Sequence, residues 1–222
     1  AGAGSTSTHE AVSLSERSEA AGADALLHIS PYYNKPEPAG MAQHFRRVAD
    51  AVDVPIIVYN VPSRTGRDIE IGTTVSLAEH PNIAGYKAAS GDIGKISEVI
   101  ERTRDQAFSV LSGDDGMTYP ILAAGGMGSI SVAANVRPGP VSASIDAALE
   151  GDYERARDVH HRLGPLFSAL FVETNPIPVK EAMAIEFDHP PHVRLPLTRL
   201  APESREDLAD VLASLPRDAP TA

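Results

Sequence analysis

The chain contains no cysteine, which excludes a disulfide framework, a thiolate metal site and a thiol nucleophile. Its eight histidines fall in no HExxH pattern, so that zinc signature is missing as well. Cations are scarce: 19 Lys and Arg against 30 Asp and Glu leave a formal charge of -11, the wrong sign for a phosphate backbone, and no nucleic-acid partner is expected. Lysine is rarest of all, with only Lys35, Lys87, Lys95 and Lys180, so each can be judged singly. No run approaches the roughly 18 apolar residues of a membrane span, and the opening AGAGSTSTHEAV lacks the charged-then-apolar order of a secretory signal. These absences lead to the expectation of a soluble, cytoplasmic protein with no membrane partner. The acidic excess also suits solubility in concentrated salt. GAGSTS lacks the third glycine of a dinucleotide fingerprint, and neither GxxxxGK[ST] nor GxSxG occurs.

What is present, 222 residues of which 42% are hydrophobic, is enough for a real core. Short apolar runs recur at Ala25 to Ser30, Pro55 to Asn60, Ile83 to Ala88, Phe108 to Gly113 and Gly128 to Ala133. Helical spacing fills the gaps, with Met41, Phe45, Val48, Ala49 and Val52 on one stripe and Ile93, Ile96, Val99 and Ile100 on another. Ser7 and Asp92 are expected helix caps. A strand, loop and helix repeating every 25 residues or so predict an α/β fold, a (β/α) barrel or a doubly wound sheet. After Pro138 the strands stop. Val141 to Glu150, Tyr153 to Ala169, Ile177 to Phe187 and Ser204 to Leu215 read as helices, with Leu163, Leu166, Phe167, Leu170 and Phe171 as an apolar face. The division expected is a partial (β/α) barrel over 1–137 and a helical domain over 138–222. HPPH at 189–192 is read as loop and DAPT at 218–221 as tail.

Three polar residues sit in or just beyond apolar strands. Lys87, in IAGYKAASGD, shares a face with Ile83 and Gly85 by the period of two. A lysine there is either a nucleophilic amine for carbonyls or a side chain whose stem snorkels to the rim. Tyr59, 28 residues earlier, should lie beside it on the neighbouring strand, and Arg64 follows in the loop, where a planar fork can hold a carboxylate. Tyr32 and Tyr33 end the strand before, and SGDD (Ser112 to Asp115) and GSISVAAN (Gly128 to Asn135) end the two after. All these ends fall on one side, where parallel-barrel enzymes keep their sites. Asp114 and Asp115 lack companions for a metal site and are read as caps of the following helix.

The strings PYYNKP, VYNVPSRTG, GYKAASGD, LSGDD, GSISVAANV and NPIPVK resemble the dihydrodipicolinate synthase family of class I aldolases, in order from residue 1 to about 200. The resemblance implies a TIM (β/α)8 barrel with a C-terminal helical domain, and a reaction condensing pyruvate with aspartate semialdehyde in lysine (diaminopimelate) biosynthesis, without a cofactor or metal. It makes Lys87 the Schiff-base lysine, Tyr59 the proton donor and acceptor, and Tyr33 the tyrosine that reaches across a tight dimer to complete a relay. Ile130 and Gly113 become pyruvate-side contacts, Arg64 the arginine for the aldehyde's carboxylate, and the assembly a homotetramer, a dimer of dimers. Relatives such as N-acetylneuraminate lyase and 2-keto-3-deoxy sugar acid aldolases take longer polyhydroxylated substrates and usually lack SRTG.

Two departures accompany the resemblance. The family's first two to three strands, with the Gly-Thr-Thr-Gly-Glu segment that binds pyruvate, have no counterpart, so the 222 residues alone are expected to be an inactive partial barrel; the alternative is a degenerate barrel acting as a binding partner. At the lysine-feedback site Glu10 and Tyr32 match inhibited members, but Thr6 stands where asparagine is usual.

Overall fold

A computed structural model describes residues 1–215, so DAPT at 218–221 lies outside the described residues. Five strands, β1 (Leu26–Ile29), β2 (Ile56–Asn60), β3 (Ile83–Ala88), β4 (Ser109–Ser112) and β5 (Gly128–Ser129), form one all-parallel sheet in sequential order. The sheet does not close on itself among the described residues. Gly2 bridges Leu27 in parallel, so the opening residues lie along the outer edge of β1. Helices α1 (Thr8–Ala20), α2 (Pro38–Ala49), α3 (Pro62–Thr65), α4 (Ile71–Ala78) and α5 (Ile93–Thr103) alternate with these strands.

The register shows why the sheet has two unlike faces. His28, Val58, Tyr86 and Val110 pair across β1 to β4 and are all buried, whereas the next row, Ile29, Tyr59, Lys87 and Leu111, is only half-buried. A one-residue irregularity in β3 pairs Ile56 with Ile83 but Ile57 with Gly85. Ala84 is the extra residue, so Lys87 shares its face with Gly85 and not, as strict alternation predicts, with Ile83. Gly85 is required where it stands, because a Cβ there would lie 2.7 Å from the Ser109 carbonyl oxygen.

Of the predicted stripes, Met41, Phe45, Val48, Ala49 and Val52 are all buried, and so are Ile96 and Val99. Ile93 is exposed because it opens α5, a turn short of the packed face. Asp92 caps α5 by accepting the Lys95 N–H at 3.0 Å. Ser7 occupies the cap position of α1 without a side-chain bond to it.

A second compact unit comprises 114–123 and, among the described residues, 130–215, separate from 1–113 with 124–129. It contains α6 (Thr118–Ala123), α7 (Pro138–Leu149), α8 (Tyr153–Ala169), α9 (Ile177–Phe187) and α10 (Pro202–Ser214). The four helices expected after Pro138 are all present, and Pro138 itself opens α7, where its missing N–H is no loss. Leu163, Leu166 and Leu170 enter the core, while Phe171 is exposed beyond the end of α8. Two buried carboxylates cross-tie the helices: Glu186 meets Arg137 at 3.2 Å, and Glu181 meets Arg205 at 2.7 Å and Arg199 at 3.1 Å. HPPH is loop, braced by Lys180 Nζ donating to the His192 carbonyl at 2.7 Å. No helix among the described residues is long and apolar enough to cross a membrane.

Candidate active site

Because the strands are parallel and consecutive, their C-terminal ends form one rim. Backbone bonds continue the ladder to that rim, from Ser30 N–H to Tyr59 O, Ala89 N–H to Asn60 O and Gly113 N–H to Ala88 O, at 2.7 to 3.0 Å. The rim side chains are therefore carried on a stiff base rather than on free loops.

Tyr59 and Lys87 are direct partners in the β2–β3 register, and the Lys87 Nζ lies 4.1 Å from the centre of the Tyr59 ring. Their row neighbours Ile29 and Leu111 supply apolar flanks. Burial pushes the Tyr59 phenol above its ordinary 10, while the Arg64 guanidinium pulls it back. Tyr59 is consequently a proton-bearing hydroxyl at neutral pH, within the field of a cation. Gly113 lies against the lysine: a Cβ there would come within 2.8 Å of Lys87 Cε and 3.0 Å of its Cγ. Two of the other three lysines have different work. Lys95 Nζ bonds Asp68 and the Ile69 carbonyl, and Lys180 bonds His192.

Arg64 stands in α3, a single helical turn closed by Gly66 in the left-handed conformation, φ 73°. Lys35 Cε would lie 2.7 Å from any Cβ at that glycine. Tyr33 is 92% exposed and left-handed itself, φ 68°; Tyr32 is 44% exposed. Glu10 accepts from Ser5 Oγ at 2.8 Å, and Asn34 Nδ2 donates to the Thr6 carbonyl at 3.1 Å, so the turn carrying Thr6 joins α1 to the Tyr32–Asn34 loop.

Ile130 belongs to the second unit. There the expectation that both acids of SGDD cap the following helix is half right. Asp114 caps the 3-10 turn Asp115–Met117 through the Gly116 N–H at 2.9 Å. Asp115, only 3% exposed, instead accepts from the Val132 N–H at 3.0 Å, the Ala133 N–H at 2.9 Å and the Ser131 hydroxyl. That carboxylate gathers the chain at 131–133 into the 3-10 turn Ala133–Asn135, which is why β5 ends at Ser129 and does not continue to Ala133. Among the described residues no three His, Asp or Glu side chains gather as metal ligands.

The family model described as the dihydrodipicolinate synthetase family matches residues 1–215. The chain belongs to that family. It is 64% identical over 215 residues to a protein of Haloarcula marismortui named 4-hydroxy-tetrahydrodipicolinate synthase, covering 97% of this chain and 70% of that one. A protein of the same name from Natronomonas pharaonis is 61% identical, covering 98% and 74%. The crystal structure of dihydrodipicolinate synthase from Aquifex aeolicus superposes with a TM-score of 0.93 at 48% identity, over 96% of this chain and 72% of that one.

Proposed function

We propose that Lys87 forms an imine with pyruvate and that the derived enamine attacks aspartate semialdehyde, the reaction of lysine biosynthesis for which the similar proteins are named. One observation carries the reading: a lysine and a tyrosine in register on adjacent parallel strands, the amine 4.1 Å from the ring centre, with an arginine's field on the phenol. The Lys87 amine adds to the ketone carbon and water leaves, with Tyr59 ferrying protons. Loss of a methyl proton gives the enamine, whose carbon bonds the aldehyde carbon as the aldehyde oxygen takes a proton. The substrate's amino group then displaces Lys87 and closes the ring. Arg64 holds the aldehyde's carboxylate, and Gly113 borders the pyruvate. The arginine turn favours this acceptor over the polyhydroxylated aldehydes of sialic-acid and sugar-acid aldolases, because a guanidinium fork matches a carboxylate.

The same reading treats the five strands as an arc of a TIM barrel, with 1–137 catalytic and 138–222 helical, in a cytoplasmic protein. The exposure of Tyr33 supports a relay completed across a dimer, within a dimer of dimers. Glu10 and Tyr32 are the proposed lysine-feedback positions. Borohydride reduction of the full-length protein with pyruvate should add a fixed mass to the Lys87 peptide. Labelling at Lys95 or Lys180 in its place would refute the assignment.

A further inference from the structure

Arg64 is exposed at the tip of a loop, yet the loop's base is among the most heavily bonded places in its unit. Asn60, the last residue of β2 and wholly buried, uses both ends of its amide there. Its Nδ2 donates to Asp68 Oδ1 at 2.7 Å and to the Tyr86 hydroxyl at 2.8 Å, and its Oδ1 accepts the Ile69 N–H at 3.1 Å. From α5, Lys95 Nζ donates to Asp68 Oδ2 and to the Ile69 carbonyl, each at 2.5 Å, with its side chain only 9% exposed. The two-residue segment Asp68–Ile69 is thus held directly from β2 and from α5, while Tyr86 of β3 accepts from the same Asn60 amide. Thr65 Oγ1 adds an internal brace to the Arg67 carbonyl at 2.9 Å.

We propose that Lys95 and Asp68 are positioning residues for the aldehyde substrate: they lock the 61–70 loop so that Arg64 is a preformed receptor for its carboxylate. This rests on the synthase reading above and deepens it by assigning acceptor binding to a lysine–aspartate pair outside the reacting centre. The pair is suited to the task. The Asn60 amide closes the loop onto its own strand, and the ammonium supplies a charge-assisted bond that a neutral side chain cannot. Misplacing a binding group by about 1 Å can cost up to roughly a hundredfold in rate, so a loosened loop should be felt at Arg64 even though Lys95 touches no substrate. The pyruvate half is carried on the β2–β3 register, which the clamp does not set.

The test compares Lys95→Met, Asp68→Asn and Lys95→Arg with the unaltered protein, all at full length, by hydrogen exchange and by kinetics for each substrate. In Lys95→Met and Asp68→Asn, amides of 61–70 should exchange faster. KM for aspartate semialdehyde should rise roughly tenfold or more, while KM for pyruvate and borohydride trapping at Lys87 stay within about twofold. Lys95→Arg, which keeps the charge, should recover part of the loss. Asp68 is half-exposed, so its variant folds even if removal of the lysine proves too disruptive. The proposal is overturned if exchange in 61–70 is unaltered, if faster exchange leaves the aldehyde kinetics unchanged, or if both substrates suffer equally. An unaltered protein that traps no pyruvate refutes the synthase reading, and the exchange comparison still decides the clamp.

Discussion

Two neighbouring rim loops treat their polar groups in opposite ways. The loop after β2 turns its amide, carboxylate and carbonyl groups inward onto Asn60 and Lys95 and leaves Arg64 outside. The loop after β1 turns its aromatic groups outward: Tyr33 is 92% exposed, and Tyr33 and Lys35 both adopt positive φ, which costs about 1 kcal/mol or more for a residue with a Cβ. Its side-chain tie is Asn34 to the Thr6 carbonyl. One loop is preorganised by its own chain; the other holds a strained shape that presents a ring to the outside. A receptor for a small anion needs the first kind of loop, and a side chain that serves a surface beyond the chain needs the second.

The supports beneath the two loops should separate most strongly in acid. His28, on β1, shares a bond with Ser15 Oγ at 3.1 Å, and His44, on α2, with Thr8 Oγ1 at 2.9 Å; each ring's second nitrogen is buried without a hydrogen bond in the structure. Burial pushes both down to about 4, and for His28 the neighbouring His44 adds to it. The folded values lie below the ordinary 6.5, so the native state favours neutral rings. Their stabilisation is complete above pH 6.5 and is lost as pH falls toward 4, where the unfolded chain has taken up protons that the native one refuses. The loss for each ring is of the order of a few kcal/mol. Chemical denaturation between pH 7.5 and 4 should show that slope, and exchange should rise first in α1, β1 and α2. A flat profile, or loosening that begins at 61–70, would reverse the comparison.

Replacing Arg64 tests the receptor without its mount. Arg64→Ala should lower kcat/KM for aspartate semialdehyde by about 2 to 3 kcal/mol, roughly 30- to 150-fold, because a carboxylate loses its bidentate, charge-assisted partner. Imine formation with pyruvate, which loses only the guanidinium's field on Tyr59, should change far less, and the thermal midpoint should hardly move. Equal losses for both substrates would mean that Arg64 acts on the lysine and not on the acceptor.

Gly113→Ala addresses the lysine directly. The new methyl would sit 2.8 Å from Lys87 Cε and 3.1 Å from the Ala89 Cβ, so the lysine must leave its place beside Tyr59. Overpacking of this kind costs about 1 to 3 kcal/mol, read here as slower trapping of pyruvate with the fold kept. Unchanged trapping would show that Lys87 reaches the imine from another rotamer.

How much of this was legible in the sequence depends on whether a residue acts alone or through a partner distant in the chain. The strands, their order, the pairing of Tyr59 with Lys87 and the buried α2 stripe follow from period and spacing. The one-residue irregularity at Ala84 does not, since nothing in IAGYKA distinguishes it from a regular strand. Asp115 was misread because its bonds run 16 to 18 residues forward to Ser131–Ala133, and the Asp68–Lys95 bond spans 27 residues. One signal was available: Asn60 is a buried amide ending an apolar strand, and a buried amide must have partners.

The smallest effect expected is at the helix caps, where sequence alone treats Ser7 and Asp92 alike. Asp92 accepts the Lys95 N–H, so Asp92→Ala should cost about 1 kcal/mol and fray the turn from which the clamp lysine projects. A modest rise in KM for the aldehyde should accompany it. Ser7 makes no side-chain cap bond to α1, and Ser7→Ala should change stability by less than about 0.5 kcal/mol with no kinetic signature. Thermal unfolding of the two variants, measured side by side, decides the matter. A larger loss at Ser7 would mean that α1, beneath the outward loop, is fastened more tightly than its bonds indicate, and that the contrast between the loops does not extend to the helices below them.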